Sequence, residues 1–536
     1  MTPRRTLAVF AGFLLLALVI YSPALHGAFL SDDELYLRAN PYVQTLTAEN
    51  LRILLDPSGA ATAHTANYAP VFLLVLALEW HVFGQAVVGY HLVNVLAHAS
   101  VALLLLEIFR RAGLPDRVAL GASLFFLVHP ANVEAVAWIT QLKTILCLLL
   151  AAAALLLHPR RPLLASVSFG LGILTKTSAL FALPVAAHEA WRRRGGSGDE
   201  APRAPWLGVW ALLFLLYMGP QLAAFSHLGE SPWRADNDAL GHLRTILAIG
   251  ARYLAMAATS FGVSAFHNPS LTTPWADPWW WAGLALGTAI VIRALFVIRR
   301  GRAEGAFWLW AAAAYAPISQ LFPFLFPMGD RYLYVVLPGL VGAVCCAGID
   351  LQERLLRGRG ARARRSSSRV VMALACAGLL ALGARSFERA RVFESSQSVN
   401  LDAARHYPDG IVASLLRAKR LGRENDLEGA LSALQRATAL GFDDFHAIDT
   451  EPAFATFKSA PRFRGFVSEL AGAWLSQARG RGYSTQTELR GMAQAHLVRG
   501  EREQAEQTLE EALARGGPAS DEIRRQLEEL RGRAPR

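Results

Sequence analysis

Long apolar runs separated by short polar stretches dominate the first 386 residues of the chain. The first run, 6–25, is followed by a polar loop at 26–68 that opens on FLSDDELYLRANPYV, residues 29–43. Runs at 88–109, 118–128, 135–157, 163–175, 206–226, 277–298, 305–325, 332–350 and 370–386 read as membrane crossings. Another crossing returns from the tight turn LTKTS (174–178) to Trp191. With arginine-rich loops kept on the cytoplasmic side, the total is about eleven spans. Those loops are RRAGLPDR (110–117), HPRRP (158–162), WRRRGGSGDEAPRAP (191–205) and 351–369. The polar segments HPANVE (129–134), 227–238 and FPMGDR (326–331) then face outward. Two further runs, 69–84 and 241–262, are assigned to the membrane interface. Counting either as a span would put the later arginine clusters outside.

From about residue 387 the pattern changes to charged, Ala- and Leu-rich sequence. Ala418, Ala430, Leu434 and Ala437 recur at a constant offset as Ala493, Ala505, Leu509 and Ala512. Small residues so spaced are what tetratricopeptide helix pairs use to pack closely. Between them, FDDFHAIDTEPAFATF reads as a degenerate unit. The expected fold class is all-α: a polytopic transmembrane domain over 1–386, with interfacial helices, followed by a small soluble tetratricopeptide-like α-solenoid over 387–536.

Composition agrees. Of 536 residues, 53% are hydrophobic and 18% charged, with a mean hydropathy of +0.29. The net charge of +11 follows from arginines in the cytoplasmic loops, so nucleic acid is not the expected partner. Arg4 and Arg5 precede about 20 apolar residues with no A-x-A-like cleavage site, which favours a retained first helix with a cytoplasmic N-terminus. Cys147, Cys345, Cys346 and Cys376 all lie in apolar runs without metal-ligand spacing.

The candidate chemistry starts at Asp32, Asp33 and Glu34. Three adjacent acids at the end of an apolar helix supply a base for a hydroxyl, with repulsion raising one pKa. The bland reading is a solvated turn or helix cap. Three cations suit a phosphate: Arg331 in MGDRYLY, Lys176 in LTKTS and Lys143 in WITQLKTIL. Arg331 has Asp330 beside it as an ordinary partner, and Lys176 has the option of snorkelling to headgroups. Lys143 lies deeper, where an unpaired cation is costly. His91, Asn94 and His98 share a helical face and read as an interhelical hydrogen-bond stripe rather than a metal site. His129 and Glu134 flank an outer turn, and Trp275, Trp279, Trp280 and Trp281 read as an interfacial belt.

Five segments occur in one order: FLSDDELYLRANPYV, NYAPVFLLVLALEWHVFGQAVVGYHLVNVLAH, HPANVEAVAWITQLKTIL, GLGILTKTSALFALP and FPMGDRYLYVVLPGL. Together they resemble the transmembrane and tetratricopeptide-repeat O-mannosyltransferases and their bacterial relatives, of the GT-C superfamily. The resemblance implies a GT-C-like fold and a catalytic acidic pair at Asp32 and Asp33. It matches Lys176 to the family's basic turn residue and Arg331 and Tyr332 to its ERYLY-like segment; the expected donor-phosphate ligands are Lys176, Arg331 and Lys143, with Tyr332, His129, Glu134 and His91 supporting. The implied substrates are a polyprenyl-phosphate sugar, often mannose, and a hydroxyl acceptor, often on protein. A divalent metal is left open, and no other cofactor is expected. The implied setting is a bacterial-type inner membrane with the repeats extracytoplasmic and binding protein. Asp330 departs from the family's Glu, Ala69 from its Arg, and Gln141-Leu142 from an Arg-containing pair. A non-enzymatic membrane scaffold, or a glycosyltransferase acting on lipid or glycan, are the alternatives.

Overall fold

A computed structural model describes residues 2–193, 205–225, 239–269, 274–321, 326–355, 357, 361–480, 486–515 and 519–532. Most of the expected inside loop at 191–205 and the polar segment at 227–238 lie outside the described residues, as does part of the loop at 351–369. Among the described residues the regular structure is helical, with no strand.

Among the described residues seven helices are long and apolar enough to cross a membrane: Pro3–His26, Val87–Arg111, Ile139–Leu157, Pro205–Ala224, Pro278–Arg299, Asp330–Leu355 and Val370–Glu394. The bent pair Asp116–Leu127 and Pro130–Ala137 makes an eighth if it is one span. The count is below the eleven expected, for a reason of length. The runs at 163–175 and 178–191 fold as the shorter helices Pro162–Ile173 and Ala182–Arg192, and the described part of 305–325 contains the helix Ala303–Tyr315. At 1.5 Å per residue none of these reaches across a ~30 Å core alone. This is a multi-pass membrane protein.

The interfacial assignments have recognisable counterparts. Residues 69–84 form the 14-residue helix Pro70–Phe83. Residues 241–262 fall in the helix Ala239–Thr259, which carries Arg244 and Arg252 on one face. Arg244 sits 4.2 Å from the Trp275 ring centre, and Arg252 pairs with Asp277 at 3.7 Å. Elsewhere close helix approach is bought by glycine. A side chain on Gly339 would meet the Ala311 backbone nitrogen at 2.6 Å, so the helices Asp330–Leu355 and Ala303–Tyr315 touch there through their backbones.

The chain divides into two compact units. One comprises Met1–Tyr36, Ala69–Gly219 and Trp233–Asp402; the other comprises Leu37–Tyr68, Pro220–Pro232 and Ala403–Arg536. The first therefore runs past the expected break at 386/387, and a loop from the N-terminal half joins the second. In the second unit, helices Ile411–Arg423 and Leu427–Ala439 pack as a pair, as do Gln486–Val498 and Arg502–Arg515. All eight repeat positions lie inside these pairs at 0–2% exposure. The intervening segment folds as short helices that bury Phe445, Phe454 and Phe457. Ala430→Leu is expected to overpack the first pair at a cost of about 1–3 kcal/mol. Limited proteolysis of the full chain should then cut faster within 403–536 than in wild type.

Candidate active site

The acid loop begins where the first helix ends. Gly27 packs so close to the Phe393 carbonyl that a Cβ there would lie 2.6 Å from it, and the Ala28 N–H donates to Glu394 O at 3.1 Å. His91 Nε2 donates to Gly27 O at 3.2 Å. Ser31 then adopts φ +37°, a left-handed conformation that costs a non-glycine residue energy. A π-helical turn, Glu34–Arg38, follows at once. This irregular backbone sends the three acids in different directions.

Asp33 is fully buried. Its Oδ2 accepts the Leu30 N–H at 2.8 Å, and its Oδ1 accepts the Thr140 N–H at 2.9 Å. Trp138 Nε1 adds a bond to Leu30 O at 3.2 Å. Asp33 is thus the clasp between the acid loop and the helix break at 138–141. The other side of that break is held by Asn94, whose Nδ2 bonds the carbonyls of Val136, Trp138 and Ile139 at 3.1–3.3 Å. Non-helical backbone at membrane depth is tolerated where such partners satisfy it.

Burial pushes the Asp33 carboxyl up to about 7, against the pull of the two N–H groups. Unfolded, the same group titrates near 4. Between these values the folded chain keeps a proton that the unfolded chain has released, so stability falls as pH rises through that window. The melting temperature should fall from about pH 5 to about pH 8, and Asp33→Asn, which does not ionise, should lose that component of the slope.

Asp32 is the acid that faces the cations. Its side chain is 35% exposed, and its Oδ2 lies 3.9 Å from Lys143 Nζ. That ammonium also sits 4.4 Å from the Tyr36 ring centre and 5.8 Å from that of Phe72. Glu34 is exposed. Lys176, at the turn after helix Pro162–Ile173, is held by one hydrogen bond to Thr144 Oγ1 at 2.9 Å and lies 5.9 Å from the Tyr332 ring centre. Arg331 stands over the same Tyr332 ring at 4.9 Å and over Trp138 at 5.4 Å. The charges of Lys143 and Arg331 both reach Lys176, and that of Asp32 reaches Arg331 and Tyr332. One partly buried patch therefore gathers Asp32, Lys143, Lys176, Arg331 and Tyr332.

Arg331 does not pair with Asp330. Its guanidinium bonds Glu134, whose Oε2 also accepts the Arg331 N–H at 2.7 Å. Asp330 turns the other way, to His267 Nε2 at 2.7 Å and Arg389 Nη2 at 3.2 Å. Arg389 in turn binds Asp402 at 2.9 Å. Two histidines are structural. His129 Nδ1 accepts the Ala131 N–H at 3.2 Å and its Nε2 donates to Ala257 O, which caps the bend. His98 bridges Tyr334 and Leu127, as the expected stripe requires. Among the described residues no group of three His, Cys, Asp or Glu is placed to hold a metal.

With this geometry in hand, similarity to known proteins becomes informative. Residues 67–248 match the model of Glycosyltransferase family 87. The chain is 35% identical over 190 residues to a protein O-mannosyl-transferase, Tmtc1, of Drosophila melanogaster, covering 33% of this chain and 21% of that one. It is 28% identical over 151 residues to the human protein O-mannosyl-transferase TMTC4, covering 25% and 20%. The matched stretch thus spans about a fifth of the length of these curated relatives. A solved structure, the archaeal oligosaccharyltransferase AglB from Archaeoglobus fulgidus with an inhibitory peptide and a dolichol-phosphate, aligns at TM-score 0.40 and 14% identity over 81% of this chain and 59% of that one. Over these matched stretches the chain is similar to protein O-mannosyl-transferases, the resemblance its ordered segments carry.

Sequence reasoning missed Thr140 and Thr144, one giving its N–H to Asp33 and the other its hydroxyl to Lys176. Neither had a sequence signal, because Thr144 lies 32 positions from Lys176 and Thr140 lies 107 from Asp33.

Proposed function

We propose that the protein is a membrane glycosyltransferase that moves a sugar, with mannose as the expected one, from a polyprenyl-phosphate donor to a hydroxyl acceptor on protein. The observation that carries this reading is the placement of Asp32: a half-buried carboxylate beside Lys143 and within electrostatic reach of Arg331. Asp32 takes the acceptor proton as the hydroxyl attacks the sugar carbon. Lys176 and Arg331 hold the phosphate, which leaves with the bonding electrons of the broken C–O bond. Lys143, 3.9 Å away, holds the Asp32 carboxylate in place. Asp33 fixes the loop, and Glu134 fixes Arg331. The family 87 match and the O-mannosyl-transferase relatives support this assignment.

In this reading the catalytic face lies on the outer side of a bacterial-type inner membrane. The helix pairs of the second unit present or recruit the acceptor. The test is to incubate membranes containing the protein with labelled polyprenyl-phosphate mannose and to follow label into protein and lipid fractions. Label in protein supports the reading, and label in lipid or glycan alone supports the glycolipid alternative. No label above control membranes, with function lost only on deleting 403–536, supports the scaffold alternative.

A further inference from the structure

Several hydroxyl residues on or beside the apolar helices bond back to a backbone carbonyl of their own turn, and Thr144 does not. Ser100, Ser123, Ser166 and Thr175 each return their proton to the carbonyl four residues back, at 2.8–2.9 Å. Thr144 instead donates to the side-chain oxygen of Gln141 at 3.1 Å, which leaves its lone pair for Lys176 Nζ at 2.9 Å. A hydroxyl has one proton, so giving it to Gln141 commits the oxygen to accept from the ammonium. The three groups form a directed chain, Lys176 to Thr144 to Gln141. Thr144 and Gln141 are both fully buried.

The far end of this chain is unfinished. Gln141 Nε2 is buried and has no hydrogen-bond partner among the described residues. A buried amide donor left unpaired costs about 1–3 kcal/mol, and it stays in a fold when something else fills it. Gln141 Nε2 sits one amide width from the bond to Thr144. Lys176 keeps two ammonium protons beyond the one given to Thr144. Lys176 Nζ and Gln141 Nε2 thus both offer N–H donors, which suit anionic oxygens.

We infer that Thr144 and Gln141 are positioning residues for the donor phosphate: Thr144 aims the Lys176 ammonium, and Gln141 locks Thr144 and offers its amide nitrogen to a phosphate oxygen. This rests on the lipid-phosphate donor reading above. Thr144→Val keeps the shape and removes both bonds, whereas Thr144→Ser keeps both bonds.

The experiment uses the full chain in detergent with farnesyl phosphate as probe and farnesol as the phosphate-free control, binding being read by ligand-induced thermal stabilisation. Thr144→Val should weaken farnesyl phosphate about tenfold, Gln141→Met by less, and Thr144→Ser within about twofold of wild type. Farnesol binding should be unchanged in all three. Equal binding of the probe by Thr144→Val and wild type overturns the inference. So does an equal loss in Thr144→Ser, or a matching loss for farnesol, because either would mean a packing effect. So too does a wild type that farnesyl phosphate does not stabilise. Sugar transfer is scored separately. A wild type that binds the probe but transfers no sugar removes the glycosyltransferase reading and leaves the positioning chain standing.

Discussion

Asp32→Asn is expected to lower sugar transfer by about 10²–10⁴-fold while leaving the protein folded. The size follows from removing the one carboxylate among the five described residues of the patch, the group placed to take the acceptor proton. Retention of the fold follows from the structure. The Asp32 side chain is 35% exposed, and its ion pair is a long one, 3.9 Å to Lys143. Exposed pairs of this kind contribute little to stability. Asp33→Asn should behave in the opposite way. It places an amide NH₂ against a backbone N–H at Leu30 or Thr140, so the loop loosens and the protein melts earlier. Labelled polyprenyl-phosphate mannose, with wild type and both variants at matched expression, separates the two acids. Full transfer by Asp32→Asn would end the assignment of the base.

Glu134→Gln is expected to destabilise the protein by about 3–5 kcal/mol, because it leaves the buried Arg331 guanidinium without its counterion. Arg331→Gln should cost as much for the mirrored reason, with Glu134 then the uncompensated charge. The double variant removes both charges and should regain most of the stability, since two neutral amides can bond each other. It should not regain transfer, because the phosphate has lost a cation. Thermal melting and labelled transfer on all four proteins give the result. Recovery of activity in the double variant would show that Arg331 is structural only.

The helical class and the acid cluster were legible in the chain because both rest on local pattern. Apolar run length marks a membrane helix, and three adjacent acids stand out beside one. The spacing of small residues is local too, and Ala430 and Ala505 are each buried within a helix pair. What was not legible is the division of labour within the cluster. It depends on the positive φ of Ser31 and on a helix break more than 100 residues away, neither of which has a sequence signature. The Glu134–Arg331 pair likewise spans 197 positions. Adjacency suggested Asp330 instead, but the helix start at Asp330 points those two side chains to opposite sides. The span count overshot because hydropathy registers short apolar helices without measuring whether they reach across.

Asp33 grips the peptide amides of Leu30 and Thr140, not their side chains. Any residue except proline carries the same amide, so both positions are free to change over evolutionary time while the clasp persists. Kin that have drifted beyond sequence detection should still be recognisable by this three-point arrangement of one carboxylate and two main-chain donors, and a proline arising at either position should mark a lineage in which the arrangement has been given up.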